Sequence, residues 1–229
     1  MIAAMSAATA RLPRRPRLVI FDMDDTLVAT AALWKRAEVQ LWELCGGQWT
    51  PELALRYKGM NALDVAATIQ VLSGTSMRPD ECQSAMREFL DASFREGPVL
   101  SMPGAVPCVR SLALDFRLVV ASGSPAHLIA FALGELGIRE CFENLVTSED
   151  VARGKPHPDV FLHAAVQAEV APEDCLVIED SFIGVQAARA AGMRSFAVPS
   201  SRHEEVRTLA DYSDGELSTL PSLLGISTG

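Results

Sequence analysis

The sequence predicts an α/β fold with a doubly wound parallel sheet, and two patterns indicate it. Short apolar, β-branched runs alternate along the chain with segments of helical pattern, which is typical of strands joined by crossover helices. The runs are continuously apolar instead of alternating with polar residues, as expected of strands that are covered on both faces. The predicted strands span residues 17–22, 116–122, 144–148, 175–180 and 194–198.

Helices are predicted between these strands in the second half of the chain, at residues 126–136, 158–168 and 184–192. Ser124 and Pro125 precede the first of them, and we expect Ser124 to be its N-cap and Pro125 its first helical residue. Gly192 ends the last one and suits the C′ position, where glycine readily adopts the left-handed conformation.

One long segment interrupts the alternation of strands and helices. Residues 29–97 contain no strand candidate, and their helical segments are separated by glycine and proline residues. We therefore predict a helical insertion at residues 29–97, placed directly after the first strand of a core domain that consists of residues 17–28 and 98–229. The predicted helices of the insertion are residues 31–45, 62–73 and 79–95.

The charge of the chain argues against nucleic acid as a partner. The formal net charge is −9, and the first 17 residues carry four arginines and no acidic residue, so the remaining residues carry −13. Binding to a phosphate backbone requires a basic face, which this composition does not provide. No apolar run reaches the roughly 18 residues that a membrane-spanning helix needs, and we expect no membrane partner.

The first residues and the cysteines indicate a cytoplasmic protein. Residues 1–16 are rich in arginine but lack the apolar segment of a secretory signal, so we expect a flexible N-terminal tail. Five cysteines are scattered without a CxxC motif, which favours reduced thiols over a disulfide framework or a zinc site. No self-association motif stands out, and we expect a monomer.

Polar motifs follow four of the predicted strands, at or just after their carboxyl ends. The first strand leads into DMDDT (22–26), the second into ASGSP (121–125), the third into GKPHP (154–158) and the fourth into IEDS (178–181). Ligands of open parallel sheets bind beyond the carboxyl ends of the strands. We therefore expect the four motifs to form one site.

The chemistry that this set of residues fits is phosphoryl transfer. Clustered carboxylates need a positive charge among them, and Asp22 with Asp180 would hold Mg²⁺, a hard cation that prefers oxygen ligands. Asp22 would then attack phosphorus to form an aspartyl phosphate. Asp24 would protonate the leaving oxygen and later deprotonate the attacking water. Ser122 and Lys155 would hold the phosphate oxygens on which charge accumulates.

The four motifs, in this order, resemble those of the haloacid dehalogenase superfamily over about residues 17–199. The resemblance implies a Rossmann-like core, with the helical insertion as a mobile cap that closes over the substrate. It implies that Asp22 is the nucleophile, that Asp24 is the general acid and base, and that Mg²⁺ is the cofactor. The implied metal site consists of Asp22, the backbone carbonyl of Asp24, Asp180 and the neighbouring Glu179. The implied phosphate site consists of Thr26, Ser122, Gly123 and Lys155.

More narrowly, YKGMNALD, GKPHPDVF and IEDSFIGVQAARAAGM resemble the β-phosphoglucomutase-like branch, in particular its sugar and sugar-alcohol phosphatases. Mutases of this branch place a histidine shortly after a threonine at the start of the cap. Here Thr30 is present, but Trp34 stands at the histidine position, so the resemblance favours a phosphatase. The cap residues expected to contact the substrate are Trp34, Lys58 and Asn61.

The leading hypothesis is therefore a Mg²⁺-dependent phosphatase that acts on a small phosphorylated sugar or sugar alcohol. The alternatives are a β-phosphoglucomutase-type phosphomutase and a regulatory protein whose phosphorylated aspartate persists. A cap that excludes water argues against a protein that only signals.

Several of the residues also have a structural interpretation. Ser122 alone would cap a turn, Lys155 alone would be a solvated lysine, and Glu179 would make a structural hydrogen bond. Trp34 would belong to a helix core, whereas Lys58 and Asn61 would lie in a surface loop. Asp25 is expected to cap or orient its loop instead of binding the metal.

Overall fold

The computed structural model describes residues 14–198, 204–214 and 216–226, and these contain a six-stranded parallel sheet with helices on both faces. The predicted fold class is thus confirmed. The strands are β1 (Leu18–Phe21), β2 (Arg117–Ser122), β3 (Asn144–Thr147), β4 (Cys175–Glu179), β5 (Arg194–Ala197) and β6 (Tyr212–Ser213). They lie in the order β3-β2-β1-β4-β5-β6. The first five match the predicted strands, whereas β6, with two residues, is too short to leave an apolar run in the sequence.

Ten α-helices connect or flank the strands within the described ranges. They are α1 (Ala31–Leu44), α2 (Pro51–Ala54), α3 (Ala62–Ser73), α4 (Pro79–Glu96), α5 (Ala105–Leu112), α6 (Ala126–Glu135), α7 (Asp159–Gln167), α8 (Phe182–Ala190), α9 (Glu204–Leu209) and α10 (Leu220–Leu223). The six predicted helices correspond to α1, α3, α4, α6, α7 and α8. The others are at most eight residues long, so they span too few turns to show a helical period.

Burial on both faces explains why the strands are continuously apolar. Along β1, Val19 and Phe21 belong to one core cluster, and Leu18 and Ile20 belong to the cluster on the opposite face. All four side chains are fully buried. Because successive side chains of a strand point to opposite faces, only an apolar residue at every position satisfies both layers.

The register of the three central strands brings their carboxyl ends together. Phe21 pairs with Val120 of β2 on one side and with Ile178 of β4 on the other. The residues just beyond these pairs therefore lie side by side at one edge of the sheet. This edge is also where the strand order reverses, because β2 and β3 lie on one side of β1 and β4 lies on the other.

Helices α1, α3 and α4 pack against one another in the segment between β1 and β2. Each contributes an apolar stripe at helical spacing, as with Leu33, Ala37 and Leu41 of α1, which are fully or almost fully buried. The chain leaves and rejoins the sheet at one place, where the Ala29 N–H donates to the Leu100 carbonyl at 2.8 Å. This crossing lies close to the predicted boundaries of the insertion, which remain a prediction.

Helix α6 starts at Ala126, the first residue of the predicted range, but its cap differs from the prediction. Pro125 is the N-cap, and the Ser124 hydroxyl makes no cap bond but donates to the Asp24 carboxylate at 2.8 Å. Gly192 has the predicted role, since it follows the C-cap of α8 with φ 72°.

The first 13 residues of the predicted tail lie outside the described residues. Arg14, which belongs to the same prediction, forms an ion pair of 2.7 Å with Asp174. None of the helices in the described ranges is long and apolar enough to cross a membrane. All five cysteines carry free thiols, and four of them are buried.

Asn61 has a local structural role at the start of α3. Its Oδ1 accepts hydrogen bonds from the backbone N–H groups of Leu63 and Asp64, each at 3.0 Å, and thereby caps the helix. Its Nδ2 donates to the Asp64 carboxylate at 2.6 Å. Both ends of the amide are therefore used within the chain.

We expect Asn61→Ala to lower the free energy of unfolding by about 1 kcal/mol, because the first N–H groups of α3 lose their acceptor. Asn61→Ser, which retains a capping oxygen, should cost less. Urea unfolding followed by circular dichroism measures both changes. Equal losses in the two variants would contradict a capping role.

Candidate active site

Lys155 is the centre of the buried site at the carboxyl edge of the sheet. It lies in the loop between β3 and α7, and only 6% of the residue is exposed. Its ammonium donates to Asp22 Oδ1 at 2.7 Å and to Glu179 Oε1 at 2.6 Å. The ammonium also lies 4.9 Å from the centre of the Phe161 ring of α7. Burial alone would lower the pKa of Lys155, but the charges of Asp22 and Glu179 raise it above its ordinary value.

Glu179 is held on both of its oxygens. Oε1 accepts from Lys155, while Oε2 accepts from the backbone N–H and the hydroxyl of Ser181, each at 2.9 Å. The Ser181 hydroxyl in turn accepts from the Gly184 N–H at 3.1 Å and caps α8. A side chain at Gly184 would collide with the Glu179 carboxylate. Glu179 is therefore fixed by the first turn of α8, and it positions the lysine.

Asp22, Glu179 and Asp180 form a cluster of buried carboxylates. One oxygen of each lies within 4.8 Å of one oxygen of the others. Burial raises the pKa of Asp22 to about 8, with Glu179 and Asp24 adding to the rise and Lys155 opposing it. Burial, and then Glu179 and Asp22, raise the pKa of Asp180 well above its ordinary value. The cluster thus contains more negative charge than Lys155 balances.

The donors fit a divalent oxygen-binding cation. Only 4% of Asp180 is exposed, and the charge of Lys58 offsets only part of the rise in its pKa that burial, Glu179 and Asp22 cause. A hard cation such as Mg²⁺ prefers carboxylate oxygens and would supply the missing positive charge.

Asp24 lies in the same cavity and accepts four hydrogen bonds. Oδ1 accepts from the Thr30 hydroxyl at 2.8 Å and from the Trp34 indole N–H at 2.7 Å. Oδ2 accepts from the hydroxyls of Ser122 and Ser124 at 3.0 and 2.8 Å. Residues of the insertion and of the β2 end thus fix one carboxylate from two sides.

Asp25 connects the strand-end loop to α1, as expected. Its Oδ1 accepts from the backbone N–H groups of Thr30 and Ala31, each at 3.0 Å. Burial raises the pKa of Asp25, and these two bonds oppose the rise.

Two residues of the implied phosphate site have different surroundings. Thr26 is buried, and its Oγ1 has no hydrogen-bond partner in the described part of the chain, but Thr26 is not among the residues that line the cavity. Gly123 lines the cavity, and a Cβ there would press on the backbone of Asn61, with 3.2 Å to its Cα. Gly123 therefore permits the close approach of the insertion to β2.

The cavity above these residues has a volume of about 300 Å³ and is lined on one side by residues of the insertion. Trp34 and Lys58 line it, so a substrate contact of these two residues remains a prediction, whereas the Asn61 side chain caps α3 and does not line it. A substrate contact of Asn61 therefore has no support from its position. Side chains of the insertion that also line the cavity include Lys35, Glu38, Trp49, Tyr57 and Met60.

Sequence reasoning missed several of these residues for different reasons. Thr30 and Ser124 contact Asp24 through their hydroxyls. Ser124 belongs to the ASGSP motif and Thr30 follows the DMDDT motif, so closeness to these motifs in the sequence is a signal that could have indicated both residues. Glu38 follows Trp34 by four residues, which places both on one face of α1. Trp49 and Tyr57 reach the cavity only through the packing of the insertion, and no local pattern indicates this.

Comparison with known proteins identifies the family of this arrangement. A family model described as haloacid dehalogenase-like hydrolase matches residues 16–192. The chain belongs to this family. The match includes every residue of the buried carboxylate cluster and Lys155, and the predicted resemblance is confirmed.

Two relatives illustrate the range within this hydrolase family. Hexitol phosphatase B of Escherichia coli K12 is 31% identical over 225 residues, which cover 93% of this chain and 99% of that protein. The bifunctional riboflavin kinase/FMN phosphatase of Arabidopsis thaliana is 35% identical over 186 residues. That match covers 80% of this chain but only 48% of the plant protein, so the chain spans about half of that relative.

Solved structures share the fold over almost the whole chain. CbbY from Rhodobacter sphaeroides, crystallised in complex with phosphate, has a TM-score of 0.80 at 25% identity and covers 92% of this chain and 100% of its own. The β-phosphoglucomutase from Clostridium difficile has a TM-score of 0.80 at 20% identity, covering 92% of this chain and 97% of its own. The likeness to the β-phosphoglucomutase-like branch thus includes the fold.

Because Gly184 lies against Glu179, a methyl group added at Gly184 should strongly affect the stability of the protein. We expect Gly184→Ala to lower the free energy of unfolding by about 1–3 kcal/mol, because the added Cβ displaces a fully buried carboxylate. Thermal and urea unfolding measure the change.

Gly134 of α6 is the matched control, since it is exposed and a Cβ there meets no atom within 4 Å. Gly134→Ala should be neutral or stabilise the protein by up to about 1 kcal/mol. An equal change in the free energy of unfolding at both positions would show that the space between Gly184 and Glu179 is not tightly packed.

Proposed function

We propose that the protein hydrolyses the phosphate monoester of a small sugar or sugar alcohol, with Mg²⁺ as cofactor and an aspartyl phosphate on Asp22 as intermediate. The observation that carries the proposal is the pairing of two differently held aspartates in one cavity. Asp22 is bound on one oxygen by Lys155, and Asp24, two residues later, is fixed by four donors. The relation to hexitol phosphatase B over almost its full length supports the substrate class.

The first step forms a bond between Asp22 and phosphorus and breaks the bond between phosphorus and the leaving oxygen. Lys155 holds one oxygen of Asp22, so the carboxylate is oriented before the attack. A protonated Asp24 gives its proton to the leaving oxygen. The alcohol then departs, and the phosphoryl group stays on Asp22.

The second step is hydrolysis of the aspartyl phosphate. Asp24, now ionised, takes a proton from a water molecule that attacks phosphorus, and Asp22 is released together with phosphate. Three of the four donors to Asp24 are hydroxyls. Hydroxyls can turn from donating to accepting, so Thr30, Ser122 and Ser124 can follow the change in protonation of Asp24.

Asp22, Asp180 and the backbone carbonyl of Asp24 would hold Mg²⁺, and Glu179 would orient the group through Lys155. When bound, the ion supplies positive charge that keeps Asp22 ionised and offsets the charge of the incoming phosphate.

The phosphomutase alternative requires a second acid or base in the insertion. No histidine lies among the described residues that line the cavity, and Trp34 offers only an indole N–H, which donates to Asp24. The regulatory alternative does not need a substrate cavity, and here residues of the insertion and the aspartates line one cavity together. Hydrolysis is therefore the activity that the geometry supports best.

We expect phosphate release from sugar and sugar-alcohol phosphates in the presence of Mg²⁺, and loss of release by at least about 10³-fold in Asp22→Asn, which lacks the nucleophile. A colorimetric phosphate assay over a panel of esters measures both. Folded wild-type protein that releases no phosphate from any ester would refute the proposal. Isomerisation of β-glucose 1-phosphate would instead identify a mutase, and a persistent aspartyl phosphate would identify a regulatory protein.

Mg²⁺ should also raise the melting temperature of the wild-type protein, since an ion that binds only the folded state stabilises it. At about 100 times its dissociation constant the gain is about 2.7 kcal/mol. In Asp180→Asn this gain should disappear, although the metal-free variant should melt no lower than wild type because burial disfavours the Asp180 charge. Sodium chloride at equal ionic strength is the control. A wild-type response to Mg²⁺ in the variant would exclude Asp180 from the metal site.

A further inference from the structure

Glu38 is a buried acid in the cavity that the proposed chemistry does not use. Only 9% of this residue is exposed, and it lines the same cavity as Asp22 and Asp24. Along α1 it follows Trp34 by one helical turn, which places it about 6 Å further along the helix axis. Trp34 contacts Asp24, so Glu38 lies beyond the reacting groups, towards the far end of the cavity.

One oxygen of Glu38 is firmly held. Oε2 accepts from the Trp49 indole N–H at 2.8 Å and from the Tyr57 hydroxyl at 3.4 Å. The Tyr57 hydroxyl itself accepts from the Trp42 indole N–H at 3.2 Å. The two donors to Oε2 fix the orientation of the carboxylate, because Trp49 and Tyr57 approach it from separate segments of the insertion.

The other oxygen of Glu38 is left without a donor. In the described part of the chain no group donates a hydrogen bond to Oε1, and Oε1 is not sealed from the cavity. An oxygen that is accessible from the cavity can accept a hydrogen bond from a bound molecule. A ligand with a hydroxyl group could therefore donate to Oε1 while Oε2 stays held by the protein.

The surroundings of Glu38 limit which ligands can approach. Trp34, Trp49 and Tyr57 provide apolar ring surfaces around it, and such walls with few polar groups are typical of sites that fix the orientation of a small ligand. The nearby Lys35 ammonium lies 4.6 Å from the centre of the Trp49 ring and is held there by cation–π attraction. Burial raises the pKa of Glu38, and its bonds to Trp49 and Tyr57 oppose the rise.

We propose that Glu38 Oε1 accepts a hydrogen bond from a hydroxyl at the far end of the substrate, and that Glu38 thereby selects phosphorylated polyols over phosphates that end in a carboxylate. A hydroxyl can donate to Oε1, whereas an ionised carboxylate only accepts and is repelled by Glu38. The inference rests on the proposed function because it assigns the substrate class of the same site. It makes Glu38 a specificity-determining residue.

Two probes differ only in the group that would meet Glu38. Sorbitol 6-phosphate ends in a CH₂OH group, and 6-phosphogluconate ends in a carboxylate at the same carbon. Their dissociation constants should be measured calorimetrically with Mg²⁺ in an Asp22→Asn background, where hydrolysis cannot consume them. We expect sorbitol 6-phosphate to bind at least about tenfold more tightly.

Glu38→Gln should reduce this preference at least about tenfold. Gln retains an oxygen that can accept from Trp49 and Tyr57, while its amide N–H₂ replaces Oε1 and donates to a carboxylate. Glu38→Asp withdraws the carboxylate by one methylene but keeps the charge. This variant should therefore lose affinity for sorbitol 6-phosphate and still reject 6-phosphogluconate.

Glu43→Gln is the matched control, because Glu43 lies on the same helix but is exposed to solvent, and its preference should equal that of the background protein. Ethyl phosphate is too short to reach Glu38, so its affinity should change less than twofold in any Glu38 variant. Melting temperatures confirm that each variant is folded.

The proposal is overturned if Glu38→Gln keeps the preference within twofold, if neither probe binds the background protein, or if affinity for ethyl phosphate falls in parallel. The last result would indicate a structural role. A different result would contradict the proposed function: the wild-type protein would bind the probes but release no phosphate from them.

Discussion

The structure of the site depends on one buried interaction, the contact of the Lys155 ammonium with Asp22 and Glu179. The register of the sheet places the carboxylates that follow the neighbouring strands β1 and β4 at the same edge, so their negative charges lie close together. Packing on both faces of the sheet removes water from these groups, and burial is the largest cause of the raised pKa of Asp22 and Asp180. One lysine offsets only part of the charge. The remaining imbalance is the physical reason to expect a divalent cation there.

The position of Lys155 depends in turn on structure beyond the site. Glu179 accepts from Lys155 on one oxygen and from Ser181 on the other, so the first turn of α8 fixes the distance between strand and lysine. The absent side chain of Gly184 leaves room for this arrangement. Phe161 of α7 lies beside the ammonium and restricts it from another direction. Helix capping and side-chain packing outside the site thus determine the position of Lys155.

The sheet and the strand-end motifs could be predicted because their signals are local. A continuous apolar run indicates a strand that is buried on both faces. The motif that follows the run in the sequence gives the residues that lie at the carboxyl end of the strand. Short elements such as β6 and α2 leave no comparable pattern. Side-chain partners depend on tertiary packing, so the local sequence does not reveal that Asn61 caps α3 or that Ser124 contacts Asp24 instead of capping α6. Trp49 and Glu38, eleven residues apart, meet only in the folded insertion.

Helix α1 connects the chemistry of the site to the shape of its cavity. Asp25 accepts from the backbone of Thr30 and Ala31, so the loop that follows β1 is attached to the start of α1, where a negative charge also suits the helix dipole. Thr30 and Trp34 contact Asp24 from the first turn of this helix. A helix has a fixed rise per residue. The distance between Asp24 and the far end of the cavity is therefore set by the geometry of α1. A change of side chain beyond Trp34, at Glu38, can alter which substrates fit without removing a contact to Asp24.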